Sequence, residues 1–279
     1  MTYRNILLHL DSRPACRHRI AAALDLAERF RARVTGVATT GMLVLPYAMD
    51  MAPSGALVVE WQEAMQKLAR GAADSFEATA RQRGFARTAT LVAEGSEVAA
   101  ITQASRYADL VVIGQADPAE SALESGLVSP AEVVLGSARP VLVVPYIGAP
   151  AGFGTNILIA WNGSREASRA VGDAMPLLKK AQRVTIMMVN PESDENGDGE
   201  LAGTDLAAFL AHHDVKVTVQ ADQGAVTDIG EELLSRIADL GADLLVMGGY
   251  GHARAREWAF GGATRTILQS MTVPVLMSH

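Results

Sequence analysis

The feature that most constrains the fold is an internal duplication. The segment NILLHLDS, which begins at Asn5, is matched by NILIAWNG, which begins at Asn156. The segment ADLVVIG at Ala108 is matched in the same way by ADLLVMG at Ala242, so the matching blocks occur in the same order in both halves. A chain of 279 residues with this organisation is expected to hold two domains of the same fold, and not a solenoid of short repeats.

A turn-rich stretch indicates the boundary between the two halves. Residues 145–155 contain Gly148, Pro150, Gly152 and Gly154, which is typical of a linker between domains. The sequence therefore predicts a first domain over residues 1–147 and a second domain over residues 153–279.

Each half alternates short apolar runs with longer segments of helical spacing. Runs at residues 6–10 and 110–113, and at 157–160 and 244–247, are typical of strands buried on both faces of a parallel sheet. Further strands are expected at residues 141–144, 215–219 and 273–277, and helices at residues 17–30, 61–83 and 228–240. The pattern predicts an α/β protein with two tandem doubly wound, Rossmann-like domains, each built on a five-stranded parallel sheet.

Composition excludes several classes of partner and site. The formal charge of −7 argues against DNA or RNA as a main partner, because phosphate backbones need a basic surface. The single cysteine, Cys16, cannot form an internal disulfide or a cysteine-based metal site. No run approaches the about 18 apolar residues of a membrane span, and the N-terminus has no secretory segment. We therefore expect a cytoplasmic protein without a membrane partner.

The stretch GGYGHARAREWAFGGAT, from Gly248 to Thr264, follows an apolar run and precedes a segment with helical spacing. Glycines let backbone N–H groups approach an anion, and a helix N-terminus adds partial positive charge, so this stretch predicts a phosphate-binding loop. Ligands of open α/β sheets bind beyond the carboxyl ends of the strands. The expected binding residues therefore follow the first, second and fourth strands of the second half: Trp161, Asn162, Gly163, Val189, Asn190, Met247, Gly248, Gly249, Gly251, His252, Gly261, Gly262, Ala263 and Thr264.

The duplicated pattern resembles the universal stress protein (UspA) family in its tandem two-domain form. The family's nucleotide motif, G-x2-G-x9-G-[Ser/Thr], is similar to the spacing of Gly248, Gly251 and Gly261. Gly262 stands where the motif has Ser or Thr, and a hydroxyl returns at Thr264. The resemblance implies that the second domain binds an adenine nucleotide, ATP or AMP, and it leaves Mg²⁺ as an open addition.

The same resemblance implies an adenine nucleotide alpha hydrolase-like fold with strand order 3-2-1-4-5. It also implies pairing through the fifth strands, residues 141–144 and 273–277, which would make an intramolecular pseudo-dimer and leave a further homodimer open. The ATP-binding branch of the family usually has Asp where this chain has Asn162. An Asn side chain still hydrogen-bonds to a base, but it lacks the negative charge that helps to hold a metal ion.

The first domain carries a degenerate version of the loop. Asp11 and Gly114 occupy the expected positions, but Asp117 stands where the second domain has Gly251. Leu127 and Val128 stand where it has Gly261 and Gly262. A carboxylate repels phosphate and bulky side chains cover backbone donors, so we expect this domain not to bind a triphosphate and to act as a structural partner.

No catalytic triad, P-loop lysine or zinc signature is present, so the sequence favours binding with at most slow ATP hydrolysis. The main hypothesis is a regulatory stress-response protein that binds an adenine nucleotide and acts on an unidentified protein partner. The alternative is an interaction or scaffold protein of the same fold that binds no nucleotide. A nucleotide-dependent ligase is disfavoured, because no SGGxDS-like loop follows either first strand.

Two segments lie outside the repeat. Residues 41–55 are apolar with two prolines and are interpreted as a packed loop, with a lid or interface loop as the alternative. Residues 192–200 are strongly acidic and are interpreted as a solvated loop, because their spacing is not that of a calcium loop.

Overall fold

The computed structural model describes residues 2–41, 55–119, 128–190, 199–222, 228–250 and 262–279. By its internal contacts the chain divides into two compact units, Tyr3–Arg139 and Pro140–His279, the latter with the first two residues. We call them the N-terminal and the C-terminal unit. The domain limits expected at 1–147 and 153–279 stay a prediction. Residues 42–54 of the apolar loop and 192–198 of the acidic loop lie outside the described residues.

The N-terminal unit is a parallel sheet with strand order β3-β2-β1-β4. Its elements are β1 (Asn5–Leu10), α1 (Cys16–Phe30), β2 (Arg33–Thr39), α2 (Gly55–Gln82), β3 (Thr88–Ala93), α3 (Glu97–Ser105), β4 (Leu110–Gly114) and α4 (Pro130–Gly136).

The C-terminal unit has strand order β5-β10-β9-β6-β7-β8. Its elements are β5 (Val141–Val144), β6 (Asn156–Ala160), α5 (Arg165–Leu178), β7 (Arg183–Val189), α6 (Gly199–His212), β8 (Thr218–Asp222), α7 (Ile229–Leu240), β9 (Leu244–Gly248), α8 (Gly262–Ser270) and β10 (Val275–Ser278). Five strands, β6 to β10, are parallel and follow the expected order 3-2-1-4-5. The sixth, β5, pairs antiparallel with β10. The α/β fold and the predicted pairing of the fifth strands are thus confirmed.

Local sequence explains where the helices begin and end. The Ser164 side chain accepts a hydrogen bond from the Ala167 N–H and caps α5, and Asp228 caps α7 in the same way. Gly241, in the left-handed region with φ of +60°, ends α7. The apolar runs form fully buried strands, because helices cover both faces of the sheet.

Two predicted elements differ from the structure by three residues or more at one end. The strand expected at residues 215–219 is Thr218–Asp222, because Val215 instead packs back on α6 through a hydrogen bond to the Leu210 carbonyl. Helix α2 begins at Gly55, six residues before the expected start at Trp61. No helix of the described residues is long and apolar enough to cross a membrane.

Candidate functional site

The candidate site of the C-terminal unit lies where the strand order reverses, between β6 and β9. Ala160, the last residue of β6, is in register with Met247 of β9 and with Met187 of β7. The chain leaves β6 at Trp161 and leaves β9 after Gly248, so the two exits lie side by side. The carboxyl ends of strands at such a point form the usual ligand crevice of an open α/β sheet.

Trp161 carries an unpaired hydrogen-bond donor at the exit of β6. Its backbone N–H donates to the Met187 carbonyl at 2.9 Å and continues the sheet pairing. Its indole Nε1 is buried and has no hydrogen-bond partner among the described residues. A buried donor without an acceptor costs about 1–3 kcal/mol, so this N–H is a strong candidate for contact with a bound acceptor.

The turn after β6 is held by its own side chains. The Asn162 Oδ1 accepts a hydrogen bond from the Ser164 N–H at 3.2 Å, and Gly163 between them has a φ of +71°. The backbone donor identifies which end of the Asn162 amide is oxygen, so the exposed side chain offers its NH₂ group to a ligand. Ser164 follows the first strand of the second half together with these candidate residues, and a Ser before a helical segment is a recognisable N-cap signal.

Gly248 allows the end of β9 to touch the first turn of α5. A Cβ atom at Gly248 would lie 2.5 Å from the Ala167 backbone nitrogen and 2.8 Å from the carbonyl carbon of Glu166. Gly249 is also engaged, because its N–H donates to the Ser278 carbonyl at 2.9 Å. The first two glycines of the loop therefore set the path of the backbone around the crevice.

Tyr250 and Glu166 line this turn and were missed by the sequence reasoning. Tyr250 is buried with a φ of +60°, and burial raises the pKa of its hydroxyl to about 12. The Glu166 side chain is 7% exposed and pairs with Arg165, whose Nη2 lies 2.9 Å from Oε1. The only sequence signal for Glu166 is its place in the first turn of a helix, where acidic residues are common.

The remaining predicted residues lie at two other places. Gly262, Ala263 and Thr264 begin α8, which lies next to α7, because the Ala263 carbonyl oxygen is 3.0 Å from where a Cβ of Gly230 on α7 would be. Gly262 is exposed and Thr264 is buried. At the end of β7, Val189 is half-buried and the Asn190 N–H donates to the Asp222 carbonyl. Gly251, His252 and Gly261 lie outside the described residues.

The corresponding crevice of the N-terminal unit is filled by Arg19 of α1. Arg19 is 4% exposed, its Nη2 lies 2.7 Å from Asp11 Oδ2, and its Nε donates to the His9 carbonyl at 3.3 Å. The Nη2–Oδ2 contact is an ion pair whose direction falls short of an aligned hydrogen bond. A Cβ at Gly114, the counterpart of Gly248, would lie 2.6 Å from Arg19 Nη1.

Burial and charge set the protonation states of this cluster. Burial raises the pKa of Asp11, but the charge of Arg19 together with smaller electrostatic and hydrogen-bond contributions outweighs burial, so the net pKa lies below the ordinary value. Burial, followed by the charge of Arg19, lowers the pKa of His9 to about 3. Burial raises the pKa of the Cys16 thiol. At neutral pH the cluster is therefore an Asp11–Arg19 ion pair beside a neutral imidazole and a neutral thiol.

Within the described ranges, no three His, Cys, Asp or Glu side chains are grouped as metal ligands would be.

The comparisons with known proteins agree with this architecture. The model of the Universal stress protein family matches residues 155–279. A search of the curated proteins found no match to the sequence. Among solved structures, a universal stress protein from Archaeoglobus fulgidus DSM 4304 aligns over 98% of this chain and 97% of its own, at 18% identity and a TM-score of 0.72.

Two further solved structures are similar over different extents. A putative universal stress protein from Pseudomonas aeruginosa UCBPP-PA14 aligns over 98% of this chain and 92% of its own, at 14% identity and a TM-score of 0.57. A universal stress protein solved in complex with cAMP aligns over 52% of this chain and 99% of its own, at 18% identity and a TM-score of 0.32. The two full-length likenesses show a common fold. Residues 155–279 carry the sequence pattern of the universal stress protein family.

Proposed function

We propose that the domain over residues 153–279 binds an adenine nucleotide, ATP or AMP, and that the protein is a regulator of a stress response in the cytoplasm. The observation that carries the proposal is the buried, unpaired indole N–H of Trp161 at the carboxyl end of β6. It lies at the reversal of strand order, beside a β9 exit whose glycines allow close backbone approach. An orphan donor, a crevice and a glycine loop together fit a ligand with several acceptors.

The residues divide between the two ends of such a ligand. Trp161 and Asn162, which offer an indole N–H and an amide NH₂, would meet the acceptors of the base. The exposed start of α8 at Gly262, with Gly251, His252 and Gly261 before it and Ala263 and Thr264 after it, would offer backbone N–H groups to the phosphates. Because the Gly249 N–H is already bonded to Ser278, Gly249 would shape the loop and make no phosphate contact through this group.

The same geometry favours binding over rapid catalysis. Glu166, the buried carboxylate next to the β9 exit, is paired with Arg165 and is poorly placed to activate a water molecule. Asn162 supplies no negative charge for a metal ion, so Mg²⁺ would be held mainly by the phosphates of ATP. We expect at most slow hydrolysis.

The test is calorimetric titration of the full chain with ATP, AMP and GTP. Replacing Trp161 by Phe removes the N–H and keeps an aromatic ring, and should weaken ATP binding about three- to tenfold, the value of one hydrogen bond. The matched control is Trp61→Phe on α2, far along the sequence from the crevice, which should leave affinity unchanged. Absence of ATP binding at millimolar concentration would contradict the proposal.

One observation favours the alternative, an interaction or scaffold protein that binds no nucleotide. The Glu166 side chain begins close to the β9 exit, with its Cβ 2.9 Å from where a Gly248 Cβ would be, and a carboxylate in this region repels phosphate. If no nucleotide binds to the folded protein, recognition would pass to an unidentified protein partner or to a second copy of the chain. The calorimetric titration separates the two functions, because only the first predicts that ATP binds to the folded protein.

A further inference from the structure

The N-terminal unit contains a groove that the proposed nucleotide site does not use. It is a cavity of about 520 Å³ between α3 and the strands β1, β2 and β3. Its floor includes Leu7 and Leu91, and Ala93, Ala100 and Ala104 line it with small side chains. This volume falls in the range of small-molecule sites in proteins, which is about 300–1,000 Å³.

The duplication identifies what stands at the same place in the C-terminal unit. Ala93 pairs with Thr39, the last residue of β2, as Asp222 pairs with Val189, the last residue of β7. The N-caps Ser96 of α3 and Asp228 of α7 align the two helices. Four residues after these caps stand Ala100 and Glu232, and eight residues after them stand Ala104 and Arg236.

In the C-terminal unit these counterparts fill the space between helix and strand with an ion-pair network. Arg236 Nε lies 2.8 Å from Glu232 Oε1 and donates to Asp222 Oδ2 at 3.0 Å, so the arginine bridges α7 to β8. The N-terminal unit has alanine at all three positions, and the groove occupies the volume that the network takes in its sister. The groove is therefore a local difference between two copies of one fold, and does not follow from the fold itself.

The charges at the two ends of the groove are opposite. Arg33 lies at the amino end of β2 and makes no ion pair with any described residue, and the exposed ring of Tyr107 lines the same end. Glu94 lines the other end, after β3. The wall between them is mainly apolar. An anionic group is attracted to the Arg33 end and repelled from the Glu94 end, which fixes the orientation of an elongated ligand.

The geometry points to a binding site for a small amphipathic organic anion, with its apolar body between α3 and the sheet and its anionic group on Arg33. This site is independent of the proposed nucleotide site, because every lining residue belongs to the N-terminal unit. It assigns a ligand class to the half of the chain whose own strand-end crevice is filled by Arg19.

The test uses fluorescence titration of the full chain with 8-anilinonaphthalene-1-sulfonate, an anionic dye, and with N-phenyl-1-naphthylamine, a neutral dye of similar shape. The double substitution Ala93→Asp with Ala104→Arg rebuilds the Asp222–Arg236 pair inside the groove without changing net charge. It should weaken binding of both dyes at least about tenfold, because the apolar volume is lost. An unchanged circular dichroism spectrum and melting temperature establish that the variant is folded.

A second variant isolates the charge. Arg33→Gln should weaken the anionic dye about three- to tenfold and leave the neutral dye unchanged. The matched control is Arg183→Gln, since Arg183 begins β7 as Arg33 begins β2, and it should change neither dye. Equal dye binding by wild type and the folded double variant overturns the site. An equal response of both dyes to Arg33→Gln overturns the anion preference. A wild-type dimer that the double variant converts to a monomer would show that a second copy covers the groove, and would also overturn the proposal.

Discussion

The crevices at the strand ends of the two units have duplicated sequences around them but contain different side chains. Both retain the turn after the first strand, in which Asp11 accepts from the Arg13 N–H and Asn162 from the Ser164 N–H. The two crevices differ in the side chains that lie in or beside them. In the N-terminal unit the Arg19 guanidinium occupies the space, whereas in the C-terminal unit an indole N–H is left without a described partner.

The substitutions behind this difference are few and spatially grouped. His9, Cys16 and Arg19 correspond, at the offset of 151 residues that relates Asn5 to Asn156, to Ala160, Ala167 and Ala170. Three polar side chains around one strand end are thus three alanines around the other. The first crevice carries its own cation, whereas the second has small apolar side chains at the same positions. Divergence at a handful of positions can therefore change the groups around a strand end while the α/β fold stays the same.

The strongest way to break the comparison is to remove the carboxylate of the filled crevice. Asp11→Ala leaves the Arg19 guanidinium buried without its counter-charge and should destabilise the protein by about 3–5 kcal/mol. The matched change, Asn162→Ala, removes only a hydrogen bond of an exposed turn and should cost about 1 kcal/mol. Urea denaturation followed by circular dichroism measures both.

A double variant distinguishes an unpaired charge from general disruption at Asp11. Asp11→Ala with Arg19→Met should recover much of the loss, because a buried ion pair can be replaced by apolar side chains at little cost. Equal destabilisation by Asp11→Ala and Asn162→Ala would show that Arg19 does not depend on Asp11.

The second prediction compares the two glycines that end β4 and β9. Gly248→Ala places a methyl group 2.5 Å from a backbone nitrogen of α5, which cannot yield locally, and should destabilise by about 2–3 kcal/mol. Gly114→Ala meets the flexible end of Arg19 and should cost less. The control is Gly172→Ala, on an exposed face of α5 with nothing near its Cβ position, which should stabilise by about 0.5–1 kcal/mol. Thermal melts rank the three, and an equal cost at Gly114 and Gly248 would contradict the proposed difference in packing.

The third prediction uses the buried imidazole that only the filled crevice has. The pKa of His9 falls from 6.5 to about 3 on folding, so between these values the unfolded chain binds the extra proton. Stability should therefore fall as pH drops, by about 2 kcal/mol between pH 7 and pH 5 for this group. The depressed pKa of Asp11 acts only below its ordinary value of 3.8, outside this window.

His9→Phe keeps a buried planar ring that takes up no proton. Urea denaturation at pH 7 and pH 5 should give a pH dependence smaller than that of wild type by the amount expected for His9, whatever the absolute stability of the variant. An identical pH dependence in both proteins would mean that His9 is accessible to protons in the folded state.

Much of the fold could be predicted because burial on both faces leaves a direct mark on the sequence. The runs at Leu110–Gly114 and Leu244–Gly248 are continuous and apolar, and the duplication supported each assignment with a second copy. The edge strand β8 was misplaced by three residues because the apolar pattern begins at Val215, which packs on α6 before the strand starts.

The candidate site was harder to predict because its hydrogen bonds and packing depend on the orientation of single side chains. The motif located the exits of β6 and β9, but not that Gly248 packs on α5 or that the Trp161 N–H is left unpaired. For Arg19 a signal existed, since it falls among the buried residues of α1 at helical spacing from Cys16 and Ala23. No local sequence pattern predicts the groove. Its three alanines point to a groove only when they are compared with their counterparts in the other unit, Asp222, Glu232 and Arg236.

The smallest expected effect comes from giving the C-terminal crevice the aspartate that the N-terminal crevice has at the matching position. Asn162→Asp keeps an oxygen for the Ser164 N–H and adds a negative charge near the start of α5, which should stabilise the fold by at most about 1 kcal/mol. If the crevice binds ATP, the new carboxylate should also make binding depend on Mg²⁺. We expect affinities in Mg²⁺ and in EDTA to differ less than about twofold for wild type and about fivefold for the variant, the effect of one added metal ligand. Asn5→Asp, which makes the same change at the exposed start of β1 in the N-terminal unit, is the matched control and should bind ATP as wild type does. A variant that binds ATP equally with and without Mg²⁺ would place the phosphates away from Asn162, on the α8 side of the crevice.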